Sequence, residues 1–383
     1  MTSTERWPGR LALMAAHCAG MIDLVALPIW VGVLISRYGL EPRQAGGLCT
    51  LFLLGAVFSS VVCAPRVQRL PGRIFATVGF ALAAFAFVLM PVFESYGARA
   101  LLHALGGLFV GAALSVTHGT IGRSRLPHRL FAIVSTALGV FGILYMGLVP
   151  PFVASAGPAM LFRVFAGIML FAAVACALAF PSLPAASCSM SSAAAKSEPL
   201  GVAVWCTVLG ISLLAMVQAM TFSFVERIGS DRGYGLQAIT AVLVTLGFAN
   251  LTPAPLAALT EKRWSARSVL LVGPVIQAAM ALLLTGSDGL INYAVGAIMF
   301  TWVLIFTHPF VFGLLARLDR SGRATAATPA MVMTGSAIGP LLGGTLVQAY
   351  GYVSLGVVAA LLDLAAAAFF LRMRRRTAPA LAA

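Results

Sequence analysis

Residues 11–36 read LALMAAHCAGMIDLVALPIWVGVLIS. In this run Asp23 is the one charged side chain, and His17 is the other ionisable group of note. A helix that crosses a bilayer needs about 20 predominantly apolar residues, so the stretch is long enough. Arg6 and Arg10 precede it as the basic start of a signal peptide would, but the run continues past His17 and Asp23, too far for the apolar part of such a peptide. Cys18 follows Ala16-His17, a poor context for lipoprotein cleavage. The stretch is therefore expected to remain as a membrane helix.

Outward from it the pattern repeats. Further apolar runs occupy roughly 45–64, 74–93, 98–121, 130–154 and 159–180, then 200–224, 236–258, 268–286, 289–314, 324–347 and 351–371. The chain of 383 residues is 60% hydrophobic and 9% charged, with mean hydropathy +0.98. A soluble domain carries roughly 25% charged residues, so lipid must be a large part of the solvent. Runs this long lack the alternation of an outer-membrane barrel strand. The expected fold is all-α, with twelve transmembrane helices.

The net charge of +14 does not point to nucleic acid, because the basic residues sit in short clusters between apolar runs. With the N-terminus inside and the spans alternating, nineteen Lys and Arg fall on the inner side and six on the outer side. Lys and Arg favour the cytoplasmic side, so both termini are expected in the cytoplasm of a cytoplasmic (inner) membrane. The six cysteines (Cys18, Cys49, Cys63, Cys176, Cys188 and Cys206) show no CxxC spacing and read as small packing residues. No metal or cofactor site is expected.

A Ser-, Ala- and Pro-rich stretch at 181–199 separates two halves, 1–180 and 200–383, each with six spans. The halves look like repeats at an offset of about 190 residues. Basic loops with Ala-Pro lie between spans two and three (Ala64 to Arg73) and between spans eight and nine (Ala254 to Arg267), and spans five and eleven are both Gly-rich.

Four local patterns then point one way. Arg66-Val67-Gln68-Arg69-Leu70-Pro71-Gly72-Arg73 keeps the basic residues and Gly-Arg of a G-x-L-a-D-r-x-G-r-R loop, without its aspartate; Leu259-Thr260-Glu261-Lys262-Arg263 is a second, partial copy. Span four reads His103-Ala104-Leu105-Gly106-Gly107-Leu108-Phe109-Val110-Gly111, with His103 where R-x-x-q-G-x-g-a-G has arginine. Gly339-Pro340-Leu341-Leu342-Gly343-Gly344 fits G-P-x-x-G-G, and Asp23 with Ala26-Leu27-Pro28 fits D-x-x-x-A-L-P. In this order the patterns resemble the major facilitator superfamily over nearly the whole chain, and are closest to its drug/proton antiporters. The resemblance implies two pseudo-symmetric six-helix bundles, alternating access, and a cytoplasmic latch built from Arg66, Arg69, Gly72, Arg73, Glu261 and Arg263.

An ionisable group at the bilayer centre costs about 2.5 kcal/mol or more on insertion scales. Asp23 is therefore the first proton-coupling candidate, against the alternative of a structural hydrogen-bonding acid. His17, nearly two turns away and off its face, could relay protons through water. His103 could titrate near neutrality, and His118 reads as structural. Gln218, Thr221, Trp302, His308 and Trp30 are candidates for a substrate cavity; Trp302 could stack on a flat or cationic solute. Glu226 reads as an acid at the outer end of span seven, and Asp363, mid-span in the last helix, as a helix–helix hydrogen bond. Gly107, Gly111, Gly335, Gly339 and Gly343 allow close helix approach, and Pro340 removes a backbone donor.

With no HExxH, GxSxG or Walker A sequence, the chain reads as a non-enzyme driven by an ion gradient. The expected function is secondary active transport of a small lipophilic, cationic or neutral solute, by proton-coupled efflux. The alternatives are proton-coupled uptake of a nutrient, siderophore or metabolite and, more remotely, a non-transporting sensor. The expected partners are that solute, protons or another cation, and lipid, with the protein acting as a monomer.

Overall fold

The computed structural model describes residues 6–63, 66–67, 69–181, 201–261, 263–318 and 323–372; for residues 128, 316 and 323–331 only the backbone is described. The expected linker beyond Pro181, with Cys188 and Lys196, lies outside the described residues, as do Lys262, Arg320 and Arg374–Arg376. All regular structure among the described residues is helical.

The first six spans are α1 (Trp7–Gly20) with α2 (Asp23–Ser36), α3 (Pro42–Cys63), α4 (Gly72–Leu89), α5 (Tyr96–Gly122), α6 (Pro127–Ala156) and α7 (Ala159–Ala179). The next six are α8 (Val202–Phe222) with α9 (Val225–Asp231), α10 (Gly235–Ala249) with α11 (Pro253–Thr260), α12 (Ala266–Gly286), α13 (Leu290–Leu318), α14 (Arg323–Tyr350) and α15 (Tyr352–Arg372). Eleven of these spans are long and apolar enough to cross a membrane; the twelfth, α14, is a 28-residue helix rich in Gly and Ala.

Three spans that read as continuous are broken, each for a local reason. In span one, α1 ends where Met21 leaves helical geometry (φ −109°, ψ 24°), and the chain passes Met21–Ile22 through short bonds such as Leu24 N–H to Met21 O at 3.2 Å; Pro28, further on inside α2, withholds a donor from the Leu24 carbonyl. In span seven, the Ser223 hydroxyl donates back to the Ala219 carbonyl at 2.5 Å, competing with the helix ladder. In span eight, Pro253 opens α11, a position that tolerates its missing N–H.

The chain divides into two compact units, Met1–Ala193 and Ala194–Ala383. In the first, α3 and α4 pack on α5, α4 packs on α7, and α1–α2 touches α3, α5, α6 and α7. Every helix pairing of the first unit recurs six spans later in the second, where α10–α11 and α12 pack on α13, α12 on α15, and α8–α9 touches α10, α13, α14 and α15. The fold is therefore two pseudo-symmetric six-helix bundles.

Each bundle has its own interior. The first is aromatic: Trp30 meets Phe52 at 5.1 Å and Phe165 at 4.8 Å between ring centroids, with Phe87 and Phe162 alongside. The second is aliphatic around Val204, Val208, Ile211, Leu270, Val311 and Phe370. Phe58, Phe85, Phe171, Leu178, Ile291 and Leu361 are all exposed by more than half. So much bare apolar surface is untenable in water and ordinary against lipid chains.

Candidate functional site

In the first bundle the break in span one positions the acid. Asp23 is the first residue of α2 and is half-buried, with the backbone N–H groups of Asp23 and Leu24 facing its carboxylate. His17, a turn and a half before it on α1, does not turn to Asp23. Its Nδ1 lies 3.0 Å from Nε2 of His118 on α5, and Phe131 of α6 packs on the His118 ring. One of the two facing nitrogens must carry a hydrogen and the other accept it. The pair therefore holds one shared hydrogen, and a second proton there would set two donors against each other. The sequence marked His118 as structural because it was placed by distance to the helix end; its partner, 101 residues away, was not visible.

His103 and Trp30 lie deeper. His103 is fully buried, and its Nδ1 is 2.7 Å from the Arg99 carbonyl. A carbonyl only accepts, so Nδ1 carries the hydrogen and Nε2 keeps a lone pair, which has no partner. The ring stacks on Trp30 at 5.5 Å, and Trp30 is fully buried among Phe52, Phe87 and Phe165. Both side chains are thus core of the first bundle. A solute could touch them only if that aromatic cluster opened.

In the second bundle Gln218 of α8 donates from Nε2 to the Thr301 hydroxyl of α13 at 3.1 Å, while its Oε1 has no partner. Thr221, one turn away, is fully buried with an unpartnered hydroxyl. Trp302 donates from Nε1 to the Thr252 hydroxyl at 2.9 Å and stacks flat on Phe306 at 5.2 Å. His308 donates from Nδ1 to the Leu304 carbonyl at 2.9 Å.

Glu226 is a second acid that follows a helix break. It lies in the first turn of α9, directly after the break in span seven, and its Oε2 is buried without a partner. Its neighbouring cations are engaged: Arg227 with Asp231, and Arg232 with the carbonyls of Leu284 and Thr285. The helix starts of the two bundles are offset by 193–196 residues, so Asp23 corresponds to Gln218 of α8, and Glu226 falls about eight residues further along its span than Asp23 does.

The latch candidates make local contacts. Arg73 at the start of α4 donates to the Ala177 and Leu178 carbonyls, the unsatisfied end of α7. A side chain at Gly72 would meet the Phe180 ring at 3.1 Å. Arg66 donates to the Val62 carbonyl, and the Arg69 and Arg263 amides close turns on Arg66 and Thr260. Glu261 is exposed at the end of α11. The glycines serve close approach. A Cβ on Gly107 or Gly111 would strike the backbone of Phe52 or Ala56 in α3, and one on Gly335, Gly339 or Gly343 the backbone of Ser212, Met216 or Met220 in α8. Pro340 is buried, and α14 runs on through it. No three metal-ligating side chains converge among the described residues.

The Major Facilitator Superfamily family description matches residues 12–318. Among solved structures, the nucleoside transporter NupG aligns with TM-score 0.77 at 12% identity, covering 97% of this chain and 99% of that one. A bacterial homolog of the human lysosomal transporter Spinster, in an inward-facing and occupied conformation, aligns with TM-score 0.76 at 14% identity and 96% of each chain. A search of curated proteins finds no match. The structural likenesses speak for the fold alone, and the family match spans most of the sequence: the chain belongs to the major facilitator superfamily.

Proposed function

We propose that this protein is a proton-coupled secondary transporter that expels a small lipophilic, cationic or neutral solute, with Asp23 as the coupling acid. It acts as a monomer in the cytoplasmic membrane, both termini inside, and works by alternating access. One observation carries the reading: Asp23 is held mid-span at a helix break, half-buried, in a bundle that also contains a two-histidine pair with a single shared hydrogen. A lone carboxyl at membrane depth is costly unless it is used, and the break gives it backbone donors in place of a fixed cation. The His17–His118 pair lies between Asp23 and the N-terminal end of α1, on the side where a proton would leave.

Few charged side chains stand mid-span, and no Lys or Arg does so. That chemistry suits a solute without multiple negative charges. Gln218, Thr301 and Thr221 offer it neutral hydrogen-bonding groups.

The test is transport in proteoliposomes with an imposed pH gradient. The expected outcome is solute movement against its own gradient in the wild type, and at least a tenfold loss of that driven movement in Asp23→Asn, with passive solute exchange retained. Movement that ignores the pH gradient and persists in Asp23→Asn would sink the proposal. Accumulation on the cytoplasmic side would keep the coupling and replace efflux with uptake.

A further inference from the structure

Asp363 is the most anomalous side chain in the molecule. It lies in the middle of α15 with no exposed surface, and neither carboxyl oxygen has a hydrogen-bond partner. A buried polar atom without a partner costs about 1–3 kcal/mol, and an uncompensated charge costs more.

Among the described side chains, no cation stands near enough to compensate it. Among the described side chains of the helices that pack on α15, the titratable or charged groups are Cys206 of α8, Arg267 of α12 and Tyr350 of α14; on α15 itself they are Tyr352 and Arg372. Arg372 is nine residues from Asp363, about 13 Å along the helix. Arg267 is in the first turn of α12, at the far end of that span.

Helical geometry shows which polar group of α12 shares the level of the acid. Gly356 of α15 sits against Ala281 and Thr285 of α12. Asp363 lies seven residues further on, two turns along the same face. Spans nine and twelve run in opposite directions, so the level of Asp363 on α12 is found by counting back seven from Ala281 and Thr285, to residues 274–278. On that face, one turn from Ala281, is Gln277. Its side chain is 1% exposed, and its Nε2 also has no partner.

We propose that Asp363 binds one proton inside the second bundle and, as the neutral acid, closes a ring of two hydrogen bonds with Gln277. The acid O–H donates to Oε1 of Gln277, and Nε2–H of Gln277 donates to the other carboxyl oxygen. The one reactant needed is a proton from water. With the two side chains turned toward each other, this protonation lets all three orphaned atoms be satisfied at once and fastens α15 to α12. It is a resident proton, a site separate from Asp23 and in the other bundle, and it is not carried through the transport cycle.

The experiment combines infrared spectroscopy with thermal unfolding of the full chain in detergent. In an Asp23→Asn, Glu226→Gln background, the expected result is a protonated-carboxyl C=O band that disappears on adding Asp363→Asn. Asp363→Asn alone, whose amide can form the same ring, is expected to keep the wild-type Tm within about 1 °C and the proton-to-solute ratio unchanged. Asp363→Leu and Gln277→Leu are each expected to lower Tm by about 2–4 °C, with the double variant losing clearly less than their sum. Should Asp363→Leu fail to accumulate, the infrared band and the Asn variant still decide. A missing band, additive losses, or a proton-to-solute ratio lowered by Asp363→Asn would each overturn the proposal.

Discussion

The two bundles share every helix pairing but close them with different chemistry. In the first, the tightest seam is between α3 and α5, where Gly55, Gly107 and Gly111 bring backbone onto backbone. The seam six spans later, α10–α11 against α13, is made of side chains instead: Trp302, Phe306 and Phe310 over Ala257 and the Thr252 hydroxyl. In the second bundle the glycine seam is between α8 and α14, through Gly335, Gly339 and Gly343. Its counterpart, α1–α2 against α6, meets through looser contacts such as Val25 on Gly142 at 3.5 Å. Architecture is therefore repeated while the site of closest approach is exchanged. The polar pairs do not take part in the exchange: His17–His118 joins spans one and four, and Gln218–Thr301 joins the equivalent spans seven and ten.

The largest effect is expected where the glycine seams are broken. Inserting methylene groups into a close-packed interior costs about 1–3 kcal/mol, and more where backbone must move. Gly107→Leu and Gly339→Leu should each abolish the monodisperse peak of detergent-extracted protein on size exclusion. Gly167→Ala in α7, where an added Cβ meets nothing within 4 Å, should leave it intact, since Ala favours a helix over Gly by about 1 kcal/mol. A well-behaved Gly107→Leu would mean that the first bundle does not depend on the α3–α5 approach.

Next in size is the histidine pair. His118→Leu strands the buried His17 nitrogen, a loss of about 1–3 kcal/mol. It should lower Tm and cut pH-driven transport severalfold. His118→Gln, which can still meet His17 through its amide, should recover the Tm but not the transport, because an amide cannot exchange the shared hydrogen as an imidazole does. Recovery of both by glutamine would reduce the pair to a structural bond.

The helical fold was legible because the bilayer imposes its length on every span, and Arg and Lys sort by side. The breaks in spans one, seven and eight were less so: residues 11–36 form one predominantly apolar run despite His17 and Asp23, and Ser223 acts on a single backbone bond inside a run that hydropathy cannot divide. Trp30 reads as a cavity group because it shares a span with Asp23, and His103 as a proton-coupling group because it stands at the family's arginine position. Which face of a span turns to its own bundle depends on partners such as Phe52 and Phe165, far away in sequence.

The smallest effect tests the side-chain seam of the second bundle. Trp302→Phe keeps the flat stack on Phe306 and removes only the Nε1–H bond to Thr252, worth about 1 kcal/mol. If Trp302 is seam, Tm should fall by about 2–3 °C, Thr252→Val should cost the same, and the double variant should cost no more than either. The KM for solute should then stay at the wild-type value, since the indole is spent on α11 and its entry turn. If Trp302 instead meets the solute through its ring face, the substitution should raise KM severalfold while Thr252→Val leaves it unchanged. The two roles then separate on one pair of variants, because a seam loses stability through both partners and a solute contact loses affinity through one.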